Sequence, residues 1–261
     1  MLTLFSRRLA SASALVKPGK FYKEASVALD SASSGSALYQ ILLDGRKLKT
    51  SAGKILSVES EPLAVAIAQE WNAQNDVIDR THMRLTGLAF TALDNPFHLD
   101  KDTIVKGIIE YLETDTILTF ADQPESLVEL QNRKWTPVIE WANHEFYMDI
   151  KPTNSIIEPP RITENSLANL KEYLMAQPFW SLIALQYAVE AVKSVLITLA
   201  TASHSIEAPY AAELARLEQI FQAQIWGNVE WCHDIEHLEL TSRLSSAVLF
   251  ANMTANSQLS S

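Results

Sequence analysis

The string His233-Asp234-Ile235-Glu236-His237 has the most catalytic-looking spacing in this sequence. It fits H-x-x-E-H, in which two histidines one helical turn apart bind zinc and the glutamate activates a water molecule. Taken literally, it specifies a zinc-dependent hydrolase built on His233, Glu236 and His237. Three features weigh against that: the pattern is short, Glu239 is the only nearby downstream carboxylate, and the segment is rich in solvent-type residues. A solvated, charged helix face explains the same residues, so the zinc hydrolase stands as the alternative and not the first reading. Cys232 precedes His233 directly, but adjacent residues on a helix point about 100° apart and do not form a nucleophile and base. Cys232 is expected to pack.

Other catalytic signatures are missing. The chain has no G-x-S-x-G, no phosphate-binding glycine loop and no dinucleotide fingerprint, and only seven glycines from which to build one. No cofactor and no nucleotide requirement follow from it. A second pattern concerns recognition: Glu218, Gln222 and Trp226 recur at four-residue intervals, and Glu230 and Asp234 repeat that spacing in the next segment. Such a row is either an acidic solvated face with Trp226 capping a bundle, or a partner surface in which the aromatic anchors and the carboxylates select a basic patch.

Charge narrows the partners. With 31 acidic and 21 basic residues the formal net charge is -10, which opposes broad attraction to nucleic acid or anionic membrane. Residues 1–19 differ from the rest, with Arg7, Arg8, Lys17, several Ser and Ala, and no acid before Glu24. That is the composition of a mitochondrial transit segment. Its removal leaves 18 basic against 31 acidic residues, a body near -13. One cysteine cannot form an internal disulfide, consistent with a reducing interior.

The elements that would position these residues fall into a small α/β front and a larger helical back, an α+β fold class. Tyr39 to Leu43, the turn Asp44-Gly45-Arg46 and Leu48 to Thr50 predict antiparallel strands, since Asp-Gly between apolar runs is a hairpin signal, and Ser31–Ser36 reads as a flexible loop. Helix begins near Ser60, with Pro62 in its first turn and Leu63, Ile67 and Trp71 facing the core. Asp100 caps a helix carrying Ile104, Ile108 and Leu112, and extended chain is expected over Thr116–Phe120. A helix after Pro124 should kink or restart at Pro137, and Lys151–Arg161 reads as a connector. Four helices follow: to about Ala176, from Pro178 to Thr201, from Pro209 to Trp226, and from Asn228 to Asn252. The apolar run Pro178–Ala202 contains Glu190 and Lys193, neighbours that could pair, and is read as a buried bundle helix, not a membrane span. The predicted organisation is a transit segment over 1–19, an α+β domain over 20–100, a helical domain over 101–254 and a disordered tail over 255–261.

Several motifs in order carry a resemblance: Lys20-Phe21-Tyr22-Lys23, Leu42-Leu43-Asp44-Gly45-Arg46 with Leu48-Lys49-Thr50, Glu70-Trp71-Asn72 with Gln74, and Leu93-Asp94-Asn95-Pro96. Glu113-Thr114-Asp115, Leu217-Glu218, Phe221-Gln222 and Trp226 to Trp231 running into His233-Asp234 complete the series. Together they resemble the mitochondrial and alphaproteobacterial assembly chaperones of the ATP synthase alpha subunit, the assembly factor two family. The resemblance implies a two-domain protein of the mitochondrial matrix, without catalytic activity, that binds free alpha subunit and covers surface later taken by the beta subunit. It places Glu218 at the acid of the family's leucine-glutamate motif and Trp71 and Asp94 in structural motifs. The chain departs from the family where Gln219 and Ile220 follow Glu218 in place of further acid, at Thr50-Ser51 in place of threonine-proline, and at Met83-Arg84-Leu85 in place of methionine-proline-leucine.

Overall fold

The computed structural model describes residues 18–30, 37–155, 157–227 and 232–255, without the side chains of Cys232 and His233. The transit segment up to residue 17, the Ser31–Ser36 loop, Glu230 and the tail from 256 lie outside the described residues.

The front is a small antiparallel sheet centred on β2 (Leu38–Leu43), which pairs with β1 (Ala25–Asp30), β3 (Arg46–Lys47) and β4 (Ser57–Val58). The β2–β3 turn is the predicted one: Asp44 and Gly45 both take positive φ, 47° and 77°, the two-residue geometry that matches strand twist. Asp44 is also pinned from below, its carboxylate accepting the backbone N–H groups of Lys23 and Glu24 at 3.0 Å. Those bonds hold its pKa below the ordinary carboxylate value.

Helix α1 (Glu61–Asn72) starts where Ser60 accepts from the Leu63 N–H. At its end, three successive residues of one motif do three structural jobs. Glu70 reaches out and accepts from Leu85 N–H, Thr86 N–H and the Thr86 hydroxyl at 2.7–2.8 Å. It thereby caps α2 (Arg84–Asp94), whose own cap position, Met83, supplies no side-chain acceptor. Trp71 is buried, with Tyr22 edge-on at 5.5 Å and donating its hydroxyl to the Trp71 carbonyl. Asn72 brackets Ala25, accepting its N–H and donating to its carbonyl, both at 2.8 Å. At the far end of α2, Asp94 accepts from the Thr50 hydroxyl at 2.6 Å and the Ala52 N–H at 3.2 Å, tying helix to sheet.

The helical back departs from expectation in four places. After α3 (Lys101–Glu110), capped by Asp100, the chain makes 3-10 turns over Tyr111–Thr114 and Thr116–Leu118, not extended structure. The cause is Asp115, fully buried, which holds the turn by accepting the Ile117 N–H and also accepts from Val195 and Leu196. Second, α4 (Glu125–Glu145) runs through Pro137 without restarting. Pro137 and Arg133, whose carbonyl loses its partner, lie on the exposed face, where water replaces the bond. Third, Pro178–Thr201 is two helices, α6 (Phe179–Val192) and α7 (Val195–Ala202). Lys193 between them is left-handed, and its ammonium lies 5.5 Å from the Tyr111 ring centre instead of pairing with Glu190. Ser194 and Asp115 supply the acceptors that let α7 begin anew. Fourth, Pro209–Trp226 is likewise two helices, α8 (Ala208–Ala215) and α9 (Leu217–Trp226), broken at Arg216.

Two further elements precede α6: the short pair β5 (Ile150–Lys151) and β6 (Arg161–Ile162), and α5 (Glu164–Ala176), capped by Thr163. The last helix, α10 (Cys232–Ala255), packs mainly on α6, where Trp180 stacks on Phe250 and Ser181 bonds the Ala251 carbonyl. It also touches α1 and α2, so the sheet end and the helical end share one buried cluster from Tyr22 to Ala251. No described helix is long and apolar enough to cross a membrane.

Candidate partner-binding surface

The break at Arg216 decides where α9 points. Arg216 is almost fully buried, donating to Glu236 of α10 at 2.8 Å and to Gln219 at 3.1 Å. A buried guanidinium needs such partners, because its desolvation is costly otherwise. Beside it Glu218 accepts a 2.7 Å bond from the amide of Gln131, itself fully buried and accepting from Ala121 N–H. The base of α9 is therefore fixed from two sides. Beyond it the helix has no further fully buried residue: Leu217 is the only one, and Trp226 at its end is 85% exposed.

The first turns of α10 are anchored in the same way. Glu239 lies between Arg84 of α2 at 2.6 Å and Arg243 at 2.9 Å. Burial works against its charge, but the Arg243 hydrogen bond and the two cations outweigh it, so its pKa falls below the ordinary value. Between α4, α6, α9 and α10 these side chains enclose a cleft of about 480 Å³, lined by Glu218, Arg216, Glu236, Glu239 and Arg243 among others. Outside it Ile225, Trp226, Ile235 and Leu238 are all exposed.

The residues predicted as a row are thus distributed by depth. Glu218 is half-buried in the cleft, Gln222 is exposed on α9, Trp226 projects at its tip, and Asp234 is exposed on the first turn of α10; Glu230 lies outside the described residues. Trp226 does not cap the bundle. Trp71 and Asp94 lie away from this surface, in the joint between sheet and helices. Sequence reasoning missed Ile225, Ile235 and Leu238, although an isoleucine and a leucine three apart amid charges are a visible signal of a second apolar stripe. It also missed Arg216 and Gln131, whose importance comes from partners far along the chain.

The zinc pattern has no support. Glu236, the would-be base, is held by Arg216, and no group of three potential ligands is gathered among the described residues.

An α+β protein whose α9 tip leaves Trp226 85% exposed, with Ile225, Ile235 and Leu238 also exposed, has the kind of apolar surface that marks protein-interaction sites. Comparison with known proteins agrees. Residues 19–143 match the family model described as ATP12 chaperone protein. The mitochondrial protein atp12 of Schizosaccharomyces pombe is 29% identical over 84% of this chain and 78% of its own length. Protein ATP12, mitochondrial, of Saccharomyces cerevisiae is 24% identical over 89% of this chain and 83% of its own. The crystal structure of Atp12 from Paracoccus denitrificans superposes with a TM-score of 0.78 at 29% identity, covering 91% of this chain and 98% of that one. Over most of its length the chain is therefore similar to ATP12 chaperone proteins, in sequence and in fold.

Proposed function

We propose that this protein holds the free alpha subunit of ATP synthase in the mitochondrial matrix until the beta subunit replaces it during assembly of the soluble catalytic head. It does so by binding alone, without catalysis, cofactor or nucleotide. The observation that supports this most is the exposure of Ile225, Trp226, Ile235 and Leu238 on two helices rooted through the buried guanidinium of Arg216, which pairs with the half-exposed Glu236. An unassembled subunit exposes apolar interface that associates wrongly, and a holder lowers the concentration of that state. Trp226 is the anchor, Gln222 and Asp234 form a polar rim selective for a basic surface, and Glu230 is assigned to the same binding role from its sequence spacing alone. Glu218 acts from the cleft wall, its charge oriented by Gln131.

The test is capture of the alpha subunit from matrix extract by the mature chain, followed by mass spectrometry. Trp226→Ala should reduce capture about tenfold or more, as loss of a central aromatic anchor does. Glu218→Gln keeps the acceptor for Gln131 and removes the charge, so weaker capture with an unchanged unfolding curve assigns the role to the charge. Recovery of no ATP synthase subunit, or equal recovery by wild type and Trp226→Ala, would refute the proposal.

A further inference from the structure

The charge of this chain is unevenly placed: residues 20–54 carry six basic and three acidic side chains, whereas 101–255 carry ten and twenty-one. The positive excess is concentrated at the β2–β3 hairpin, on the sheet and remote in sequence from α9. There a groove of about 460 Å³ has Phe21, Tyr22 and Leu48 as apolar wall and Arg46, Lys47 and Lys49 as rim. Phe21 is 72% exposed, and its ring meets solvent on one side and Tyr22 edge-on at 5.4 Å on the other. Arg46, Lys47, Lys49 and the adjacent Lys23 are exposed, and none has a carboxylate within ion-pair distance among the described residues. Asp44, the one acid in the groove, is turned onto the backbone N–H groups of Lys23 and Glu24. Four cations against the carboxylates of Asp44 and the exposed neighbour Glu24 leave a positive excess of two at the rim.

We propose that this hairpin groove is a second docking surface, for a short acidic protein segment carrying an apolar side chain. The apolar residue covers Phe21, and carboxylates to either side meet Arg46, Lys47 and Lys49. Charge complementarity selects the acid, and the exposed phenyl beside a concave wall selects the apolar residue. A long polyanion is disfavoured by the field of the acidic helical body, which limits the occupant to a segment of hairpin length. Two surfaces of opposite sign on one chain would fix a partner's orientation as well as bind it. The groove proposal stands independently of the identity of the partner at α9.

The experiment uses the full mature chain and a fluorescein-labelled octapeptide alternating glutamate and leucine, read by fluorescence anisotropy, with the peptide of alternating lysine and leucine as control. The acidic peptide should bind, and the double substitution Lys47→Glu, Lys49→Glu should raise the dissociation constant about tenfold. Raising salt from about 50 to about 300 mM should weaken binding in the wild type. Phe21→Ala should weaken it without steepening the salt dependence. Circular dichroism of each variant should match the wild type, since the substituted side chains are exposed. No saturable binding of the acidic peptide, equal binding of the lysine peptide, or indifference to the double substitution would overturn the proposal. So would sedimentation showing a dimer that the double substitution dissolves, since the groove would then be occupied by a second copy of this chain.

Discussion

Replacing Asp115 with asparagine tests how a buried carboxylate is tolerated at the junction of the 3-10 turns and α7. Asp115 is fully buried and accepts N–H groups from Ile117 at 3.1 Å, Val195 at 2.7 Å and Leu196 at 3.1 Å. Desolvation pushes its pKa up, and bonds from Ser194, Leu196, Ile117 and Val195 pull the other way; burial wins, leaving it at about 6 against the ordinary 3.8. A carboxyl with a raised folded pKa binds its proton more tightly in the folded state. Its contribution is therefore fully present below pH 3.8 and is lost as pH rises through about 6. That interval, at about 1.4 kcal/mol per pH unit, amounts to about 3 kcal/mol. The asparagine variant does not titrate there, and every other group is common to both proteins. The wild type's stability relative to Asp115→Asn should thus fall by about 2 kcal/mol from pH 4 to pH 7, most of that full span. Urea unfolding followed by tryptophan fluorescence at half-unit pH intervals reads this directly. A flat difference, or one that grows with pH, would show that the N–H donors match or outweigh burial and would refute the reasoning.

Three further outcomes follow from the joint between sheet and helices. Trp71→Ala should cost about 3–5 kcal/mol of stability, whereas Trp71→Phe should cost clearly less, because the indole N–H has no hydrogen-bond partner to lose; paired urea curves distinguish them. Asp94→Ala removes the acceptor for Thr50 and Ala52, so it should cost about 1–2 kcal/mol and accelerate amide hydrogen exchange at Ala52. Gly45→Ala forces a side chain to φ of 77°, and should cost about 1 kcal/mol in thermal unfolding with no steric clash to add, since nothing lies within 4 Å of the new methyl position.

Several local features were legible from short stretches of chain. The Asp44-Gly45 hairpin, the helix start near Ser60, the Asp100 cap and the core stripe Leu63, Ile67 and Trp71 depend on neighbours within about one helical turn, and they form where expected. Helix breaks at Lys193 and Arg216 were not legible. Both interrupt runs with good helix periodicity, and what stops the helix is a distant group: Asp115, 80 residues before Val195, and Glu236, 20 residues after Arg216. The Thr116–Phe120 error has the same origin, since the side chain that winds that segment is satisfied elsewhere.

The surface proposed for the partner divides along this line. Glu218, Gln222, Trp226 and Asp234 share a spacing that any reading of the chain shows, because helical periodicity is a property of adjacent residues. Whether Trp226 capped the bundle or stood in solvent was open in that spacing. The fold decided it: beyond the break at buried Arg216 the tip of α9 stands 85% exposed, and Glu218 lies half-buried in the cleft against Gln131. The family resemblance and the acidic, helix-rich character of the chain came from residue order and composition. The exposure of Trp226, Ile225, Ile235 and Leu238 came only from packing, since burial depends on which elements meet and not on which residues are neighbours in the chain.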